Sequence, residues 1–427
     1  MLNLASLNTV NTAKFSQRFV RPLYDSYCFS NLPATIDFLL TGQKSPMLPL
    51  DVLGNLPTKY NTVIFFFIDA FGWRFFERYA EKYAFLKTVS SQGVVSKLTS
   101  QFPSTTAAHV TCMHTGLNVG QSGVYEWNYY EPLVDDIISP LLFSYARDKI
   151  LRDTVKKASI SPKQFFPNQT FYQTLQSRGV ASHILQYQSY TPSTYSDIVF
   201  QGAAVHPYTT LQDALTTLTH LLVNQPQTAP TYYFFYFDRI DAACHNHGPF
   251  SRQFEDEVDR LLTTLAQTFY KSVRGKTGNT LLMMSADHGQ VEVDPRKTYY
   301  LNRQVPGIRR YLKTNQRANL LVPAGSARDM FLHVKDEYVD TLILDLKQRM
   351  AGRAEVYRTS ELLAQNFFGR QPPSRLLLDR IGNVVILPYK HESVWWYEEG
   401  VFSMHFYGHH GGLTPEEMEI PLLLLPL

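Results

Sequence analysis

Three apolar segments of the chain each lead into side chains that can bind a metal ion. The run NTVIFFFIDAFGW reaches Asp69 at its end, and NTLLMMSADHGQ reaches Asp287 and His288. The aromatic run TYYFFYF leads into DRIDAACHNHGP, where Asp241 and His245 are four residues apart and share one face if the segment is helical. Each motif alone is more often a capped turn or a surface pair. Their repetition predicts a shared metal site.

A hydroxyl and a further imidazole extend this set. The segment SQFPSTTAAHVTCMHTG predicts a helix that begins near Thr106 and ends before Gly116, and FYGHHGGLT supplies His410. The free N–H groups and the dipole of a helix N-terminus favour an alkoxide and an approaching phosphate, which makes Thr106 a candidate nucleophile. The structural alternative is that Ser104, Thr105 or Thr106 only caps the helix.

The complete set has enough ligands for two metal ions. It contains three Asp, three His and one hydroxyl. Mixed Asp and His ligation suits zinc, with manganese or iron as alternatives, whereas a magnesium or calcium site made of oxygen ligands would not need three histidines. The predicted cofactor is therefore a pair of divalent ions, with Zn²⁺ favoured over Mn²⁺ or iron. The predicted ligands are Asp69, Thr106, Asp241, His245, Asp287, His288 and His410.

The elements that must position these residues predict an α/β fold. Continuous apolar runs are typical of strands buried on both faces, and the stretches 211–222 and 254–270 between them have helical spacing. We expect a mostly parallel central sheet flanked by helices. Ligands collect beyond the carboxyl ends of such strands, so three strands that lead into Asp or His indicate one site. The closing run EIPLLLLPL predicts a last strand of the same sheet.

The composition and residue patterns along the chain suggest four segments. Residues 1–60 form a lead-in with a short helix near 36–40, and 61–294 hold the catalytic α/β core. From 295 to 406 a basic stretch, RKTYYLNRQVPGIRRYLK, precedes short strand-like and helix-like pieces, which predicts an inserted cap subdomain. Residues 407–427 then return to the catalytic core.

The ordered motifs resemble those of the alkaline phosphatase superfamily, specifically its nucleotide pyrophosphatase/phosphodiesterase branch of type I phosphodiesterases. In that branch the nucleophilic Thr lies a few residues after Phe-Pro and ten residues before the Gly of a Thr-Gly pair. Thr106 and Gly116 keep this spacing, and Thr105 does not. The other motifs of the branch appear as Asp241 through Pro249, Ser285 through Gly289, and His410-Gly411.

The resemblance implies a division of the ligands between two ions. One ion would lie on Asp241, His245 and His410, and the other on Asp69, Asp287, His288 and the Thr106 oxygen. The branch usually has an Asn three residues after the nucleophile, touching a phosphate oxygen, and this chain has His109 there. The candidate substrate-binding residues are His109, Arg239, Tyr125 and Trp127. The two aromatic residues could stack on a base or form part of a packed loop.

The predicted function is metal-dependent cleavage of phosphodiesters or nucleotide pyrophosphates through a phosphothreonine intermediate. Superfamily monoesterases of the alkaline phosphatase kind have an Arg directly after the nucleophile, whereas this chain has Ala107, which favours diesters. A phosphomonoesterase or phosphotransferase of the same superfamily is the first alternative. A catalytically inactive binding protein is the second, and the intact ligand set counts against it.

Composition limits the partners and the compartment. The balance of 40 basic and 37 acidic residues gives no reason to expect stable nucleic-acid binding, so the predicted partner is a small phosphodiester or nucleotide. The three cysteines form no CxxC pattern, which favours a reducing compartment. With no continuous apolar signal region and no run long enough to span a bilayer, the sequence predicts a cytoplasmic protein, although export by another route stays open. The sequence gives no indication of the oligomeric state.

Overall fold

A seven-stranded sheet forms the centre of the protein. The computed structural model describes residues 1–43, 48–148, 151–224 and 229–427. Residues 44–47 of the predicted lead-in segment therefore lie outside the described residues. The strands are β1 Thr62–Ile68, β2 Val94–Thr99, β3 Tyr129–Glu131, β4 Asp136–Ser139, β5 Ser144–Tyr145, β6 Ala181–Tyr187, β7 Ala204–Tyr208, β8 Thr231–Phe237, β9 Thr280–Ser285, β10 Val291–Glu292, β11 Tyr299–Tyr300, β12 Met330–Leu332, β13 Ala354–Arg358, β14 Val384–Pro388, β15 Val394–Trp395, β16 Gly408–His409 and β17 Glu419–Pro426.

Helices cover the sheet and fill the connections between its strands. The α-helices are α1 Leu4–Thr12, α2 Leu32–Thr41, α3 Trp73–Tyr79, α4 Ala84–Gln92, α5 Thr106–Thr115, α6 Val119–Ser122, α7 Phe171–Ser177, α8 Thr194–Val199, α9 Leu211–Val223, α10 Arg239–His247, α11 Arg252–Thr264, α12 Lys271–Val273, α13 Leu301–Gln304, α14 Val339–Arg349, α15 Thr359–Ala364, α16 Arg375–Arg380 and α17 Pro415–Met418. The predicted helix near 36–40 lies within α2, and that over 211–222 within α9. The stretch 254–270 continues from α11 into a π-helical segment, Leu265–Tyr270.

The sheet confirms the predicted fold class. Its strand order is β2-β17-β9-β1-β8-β6-β7, and the pairings of β1 with β8 and β9, and of β6 with β7 and β8, are parallel. The last strand, β17, lies in this sheet as predicted and is antiparallel to both of its neighbours. Helices separate the parallel strands along the chain, because a parallel pair needs a long crossover connection.

The three strands that lead into the predicted ligands are neighbours at the centre of the sheet. Ile68 pairs with Phe237 across β1 and β8, and Phe67 pairs with Ser285 across β1 and β9. Every residue of these three strands is buried, which explains their apolar sequences without alternation. Their carboxyl ends therefore meet at one edge, and the side chains that follow them are brought together.

The segment predicted as a cap has its own small sheet, in the order β12-β14-β13. Val384 and Ile386 of β14 belong to a second hydrophobic cluster, whereas Val385 and Leu387 belong to the main core. Alternate residues of one strand thus connect the two clusters, as the period of a strand requires. The predicted bounds of 295–406 stay a prediction.

In the described parts of the chain no helix is long and apolar enough to cross a membrane.

Candidate active site

The carboxylates that follow the central strands face one another. The chain turns at Ala70, which has a positive φ of 63°, and the Ala70 N–H donates to Asp287 Oδ1 at 3.1 Å. The same Asp287 oxygen accepts the N–H of His288 at 3.0 Å. Asp69 follows β1 directly, and the Tyr236 hydroxyl of β8 donates to its Oδ2 at 2.5 Å. Backbone and tyrosine donors therefore fix the orientation of both carboxylates.

Three histidines direct Nε2 towards the carboxylates and Nδ1 towards a backbone carbonyl. Nδ1 of His245, His288 and His410 lies 2.8, 3.0 and 3.0 Å from the carbonyl oxygens of Gly408, Gly289 and Ser104, respectively. A carbonyl oxygen can only accept, so each Nδ1 donates and each neutral ring keeps an unprotonated Nε2. This is the arrangement in which backbone partners orient the imidazole ligands of a metal ion.

The ligand atoms form two groups that share His288. Asp69, Asp287 and His288 have ligand atoms within 4.8 Å of one another, and so do Asp241, His288 and His410. His245 adjoins the second group, since its Nε2 lies 3.4 Å from Asp241 Oδ2 and 3.2 Å from His410 Nε2. The predicted ligands thus lie together, with three Asp and three His around two adjacent positions.

The donor set fits divalent metal ions for a reason that is independent of the resemblance. Asp69 Oδ1 and Asp287 Oδ2 are buried and have no hydrogen-bond partner among the described residues. The Nε2 atoms of His245 and His410 are also both acceptors, 3.2 Å apart, so no hydrogen bond can join them in their neutral forms. Unpaired buried acceptors cost free energy, and cations bound between them would remove that cost.

The pKa shifts of the site reflect burial and the crowding of titratable groups of like charge. Burial and the nearby carboxylates of Asp287 and Asp241 raise the pKa of Asp69 well above its usual range. Burial together with the adjoining imidazoles of His288 and His245 lowers the pKa of His410 well below its usual range. His410 is therefore neutral near pH 7, the state in which an imidazole binds a metal ion.

Thr106 is the first residue of α5 and its hydroxyl reaches the first ligand group. Thr106 Oγ1 lies 3.4 Å from Asp69 Oδ2 and 3.3 Å from His288 Nε2. The other nine residues of α5 are buried, whereas Thr106 is partly exposed. The N-cap residue, Thr105, makes no side-chain capping bond. The N-terminal N–H groups of α5 therefore have no capping bond from the Thr105 side chain.

The loop before Thr106 is joined to the loop that carries His410. Ser104 and Gly411 form an antiparallel bridge, and the Ser104 hydroxyl donates to the Gly412 carbonyl at 2.7 Å. On the other side of that loop, the Glu417 carboxylate accepts the Gly412 N–H at 3.0 Å and forms a fully buried ion pair with Arg328. These contacts fix the position of His410 relative to the candidate nucleophile.

A cavity of about 210 Å³ opens beside Thr106. Asp69, Asp241 and Thr106 are among the residues that line it. The rest of its lining combines polar and apolar side chains, namely Val110, His114, Trp127, Leu141, Leu142, Arg152, Gln186, Tyr190, Ser193, Tyr195, Ser196, Phe200, Tyr236, Asp238 and Ala242. The space is suited to an organic group attached to a phosphate held at Thr106.

Comparison with known proteins decides the family. Residues 63–412 match the family described as type I phosphodiesterase/nucleotide pyrophosphatase. The chain belongs to this family. It is therefore a hydrolase that acts on phosphoric ester bonds, in a metal-dependent family of the alkaline phosphatase superfamily.

Solved structures show the same fold for this member of the type I phosphodiesterase family. Murine ectonucleotide pyrophosphatase/phosphodiesterase 5 matches with a TM-score of 0.60 and 16% identity, over 84% of this chain and 87% of that one. The human protein of the same name matches with a TM-score of 0.60 and 15% identity, over 85% and 87%. An inactive Thr-to-Ala variant of the murine protein, in complex with AMP, matches with a TM-score of 0.59 and 16% identity, over 84% and 87%. No individual curated protein sequence matches.

The structure brings one of the four predicted substrate-binding residues to the cavity. Trp127 lines it and is 42% exposed. Tyr125 is fully buried and stacks on Tyr129. Arg239 lies over the Tyr187 ring and lines a separate cavity of about 250 Å³.

His109 is buried beneath the nucleophile loop and does not line the cavity. Its Nδ1 donates to the Thr105 carbonyl at 2.7 Å, and its Nε2 lies 2.8 Å from the Ser100 hydroxyl and 3.0 Å from the Gln101 nitrogen. The ring also packs edge-on against Phe29. Both ring nitrogens are therefore engaged within the protein, and burial lowers the pKa of His109 to about 4.

Sequence reasoning missed two residues that contact the predicted ligands. Tyr236 donates to Asp69, and Gln290 donates through its amide nitrogen to Asp241 Oδ1. Tyr236 lies in an aromatic strand, so from the sequence it resembles one more aromatic residue of the core. Gln290 directly follows Asp287-His288-Gly289, and that position was the available signal. Gly289 is needed there for space, because a Cβ would lie 2.2 Å from the Glu416 carbonyl oxygen.

Proposed function

We propose that this protein hydrolyses phosphodiesters or nucleotide pyrophosphates through a covalent phosphothreonine on Thr106, with two divalent metal ions. The observation that carries the proposal is the place of the Thr106 hydroxyl. It stands at the uncapped N-terminus of α5, within 3.4 Å of Asp69 Oδ2 and 3.3 Å of His288 Nε2. A solved structure of a relative, in which a Thr-to-Ala substitution gives an inactive protein in complex with AMP, supports a role for a threonine in the reaction.

Two groups of residues would hold the ions. Asp69, Asp287 and His288 would hold the ion beside Thr106, and Asp241, His245 and His410 would hold the other. When bound, such ions supply Lewis-acid stabilisation of charge on the nucleophile, the leaving oxygen and the phosphoryl group. The mixture of carboxylates and imidazoles favours zinc, and manganese or iron would also suit it.

The residues of the chain position the reaction at Thr106. Asp69 lies next to the hydroxyl and can accept its proton as Thr106 attacks phosphorus. The N–H groups at the start of α5 face the phosphoryl oxygens and stabilise the negative charge that develops there. The leaving alcohol departs on the side opposite Thr106, towards Asp241, His245 and His410. Water then attacks phosphothreonine from that side and releases the phosphate monoester, so the configuration at phosphorus is retained overall.

The cavity favours diesters over monoesters. Ala107 follows the nucleophile and supplies no cation, and Arg152 is the single Lys or Arg among the described residues that line the cavity. A dianionic terminal phosphate would find no further guanidinium or ammonium group there. The organic substituent of a diester would instead occupy the polar and apolar space beyond Thr106.

A comparison of chromogenic substrates tests the proposal. Metal-loaded protein should hydrolyse bis-p-nitrophenyl phosphate with a larger kcat/KM than p-nitrophenyl phosphate, and acid quenching should trap a phosphorylated peptide containing Thr106. Thr106→Ala is the control and should give no such peptide. A clear preference for the monoester would instead support the phosphomonoesterase alternative.

The same experiment separates hydrolysis from transfer. A phosphothreonine can also be passed to an alcohol, which would make the protein a phosphotransferase. Added glycerol should leave the yield of free phosphate monoester nearly unchanged if water is the acceptor. If no substrate is turned over while metal ions and nucleotides still bind, the inactive binding protein becomes the better description.

A further inference from the structure

A second cavity lies at the same edge of the central sheet as the cavity beside Thr106. Gln186 of β6 and Tyr236 of β8 line the cavity beside Thr106. The next residues of the same strands, Tyr187 and Phe237, instead line a cavity of about 250 Å³. Successive side chains of a strand point to opposite faces of the sheet. The second cavity therefore lies on the other face of the sheet, at the carboxyl ends of the same strands.

Strand β7 and three helices complete the lining of the second cavity. Tyr208 ends β7 and pairs with Tyr187 across β6 and β7, and their ring centroids are 5.9 Å apart. Leu211 begins α9, Arg239 begins α10 and Arg260 lies in α11. Ligands of α/β proteins bind outside the carboxyl ends of the parallel strands, which is where this cavity is found.

Two guanidinium groups supply unused hydrogen-bond donors to the second cavity. The guanidinium of Arg239 lies 5.6 Å from the centre of the Tyr187 ring and makes no hydrogen bond or ion pair with the described residues. Arg260 has an ion pair of 3.4 Å with Glu257 in the same helix, and its side chain is 62% exposed. A guanidinium group can only donate, so the matching ligand must supply acceptors.

Other polar side chains of the second cavity are already engaged. Asp238 lines both cavities, and its Oδ2 accepts a hydrogen bond from the hydroxyl of Tyr190, which lines the cavity beside Thr106. Further hydroxyl and amide groups of the lining take part in hydrogen bonds within the protein, namely those of Tyr208, Thr209, Thr210, Gln212 and Thr264. The lining has two positive side chains and one negative one, which favours an anion.

We propose that the second cavity binds a phosphate group through Arg239 and Arg260. Both line the same cavity, so one small anion can contact both, and guanidinium groups form paired, charge-assisted hydrogen bonds with phosphate oxygens. The rings of Tyr187 and Tyr208 offer an apolar wall to the organic part of a phosphate monoester. The site lies on the opposite face of the sheet from Thr106, so its ligand is bound and not cleaved. The inference goes beyond the proposed function and does not depend on it.

Chemical modification of arginine shows where phosphate binds. Phenylglyoxal reacts with accessible guanidinium groups, and peptide mapping by mass spectrometry gives the rate at each position. Inorganic phosphate should slow the modification of Arg239 and Arg260 several-fold, whereas sodium chloride at the same ionic strength should not. Arg252, the first residue of α11, is the control, because it is exposed and lines neither cavity. Its rate should be the same with and without phosphate.

A substitution at one arginine tests whether the two share a ligand. In Arg260→Gln, protection of Arg239 should need about tenfold more phosphate, because charge-assisted hydrogen bonds to the anion are lost. Arg260→Lys keeps the charge and should need less phosphate than Arg260→Gln. The Arg260 side chain is mostly exposed, so neither variant should unfold, and circular dichroism melting checks this. Thr106→Ala should leave the protection of Arg239 and Arg260 unchanged.

The outcomes separate this site from the proposed active site. Protection by sodium chloride, equal protection of Arg252, or unchanged protection of Arg239 in Arg260→Gln would each overturn the proposal. Loss of protection in Thr106→Ala would also overturn it, because the phosphate would then lie in the active site. If phenyl phosphate protects at lower concentrations than inorganic phosphate, the ligand is a phosphate monoester, and otherwise it is free phosphate. If the wild-type protein hydrolyses no ester, the proposed function fails and the protection measurement still decides this one.

Discussion

His410 Nδ1 donates a hydrogen bond of 3.0 Å to the backbone carbonyl oxygen of Ser104, two residues before the candidate nucleophile. The bond sets the tautomer of His410 and leaves Nε2 unprotonated, 3.2 Å from Nε2 of His245. The loop that positions Thr106 therefore also orients a predicted metal ligand. If His410 binds a metal ion as proposed, we expect metal binding and the position of Thr106 to be coupled through this contact.

The Ser104 hydroxyl should matter for both stability and metal affinity. Ser104→Ala removes its bond to the Gly412 carbonyl and leaves the Gly411 N–H without its side-chain acceptor. We expect a loss of about 1–3 kcal/mol in the free energy of unfolding and at least about tenfold weaker metal binding. Urea unfolding and competition with a chelating dye would measure the two effects. Ser182→Ala is the matched control, since the Ser182 hydroxyl is buried without a partner in the described part of the chain.

Two histidines of α10 should differ in their effect on metal content. His245→Ala removes an Nε2 that lies within 3.4 Å of Asp241 and His410, and it should lower the bound metal from two ions per chain towards one. His247→Ala changes an exposed side chain two residues later and should keep both ions. Elemental analysis of dialysed protein measures the ratio. Equal metal loss in both variants would contradict the assignment of His245.

Alanine substitutions of the adjacent Thr105 and Thr106 should show which threonine is the nucleophile. Thr106→Ala should lower kcat for bis-p-nitrophenyl phosphate by at least about a thousandfold, because it removes the attacking oxygen while keeping the backbone donors of α5. Thr105→Ala should cost far less, since Thr105 is buried and its side chain makes no capping bond to α5. If Thr105→Ala were the more damaging change, the spacing argument for Thr106 would be wrong.

Replacement of His109 should destabilise the fold. His109→Ala leaves the Gln101 N–H without an acceptor in a fully buried place, and it removes the ring contacts with the Ser100 hydroxyl and the Thr105 carbonyl. We expect a loss of about 3 kcal/mol or more in the free energy of unfolding. His109→Asn, which restores the residue usual in this family, should recover part of the loss. Chemical unfolding of both variants provides the measurement.

Stability should depend on pH through His114. Its pKa is lowered to about 3 by burial, whereas a histidine in an unfolded chain titrates near 6.5. Between these values the unfolded chain binds more protons than the native protein. His114 therefore stabilises the native state above about pH 6.5, and this contribution is lost as the pH falls, at up to about 1.4 kcal/mol per pH unit.

Replacing His114 by a residue that does not titrate should remove its contribution to the pH dependence of stability. Urea unfolding at pH 4, 5, 6 and 7 should show a shallower decrease in the free energy of unfolding towards low pH for His114→Gln than for the wild-type protein. The other titrating groups are common to both proteins and cancel in the difference. Identical slopes would show that His114 is not buried as a neutral imidazole.

The sequence by itself determined the sheet and the order of the predicted ligands. Strands buried on both faces leave continuous apolar runs, so β1, β8 and β9 could be recognised from composition alone. A parallel arrangement of such strands places Asp69, Asp241 and Asp287 at the same edge of the sheet, and the structure then shows that the three strands are neighbours. The start of α5 at Thr106 and its end before Gly116 were also readable, because turn and capping residues mark helix ends.

Only the tertiary structure decided which polar residues face the cavity. His109 and Arg239 are close in sequence to predicted site residues and Tyr125 lies downstream of the nucleophile helix, yet His109 and Tyr125 are buried in the core and Arg239 lines another cavity. Tyr236, Gln186 and His114 gave no local signal, because the direction of a side chain depends on the elements packed against it. Local spacing fixes the elements and their order, whereas contacts between distant segments set the direction of each side chain.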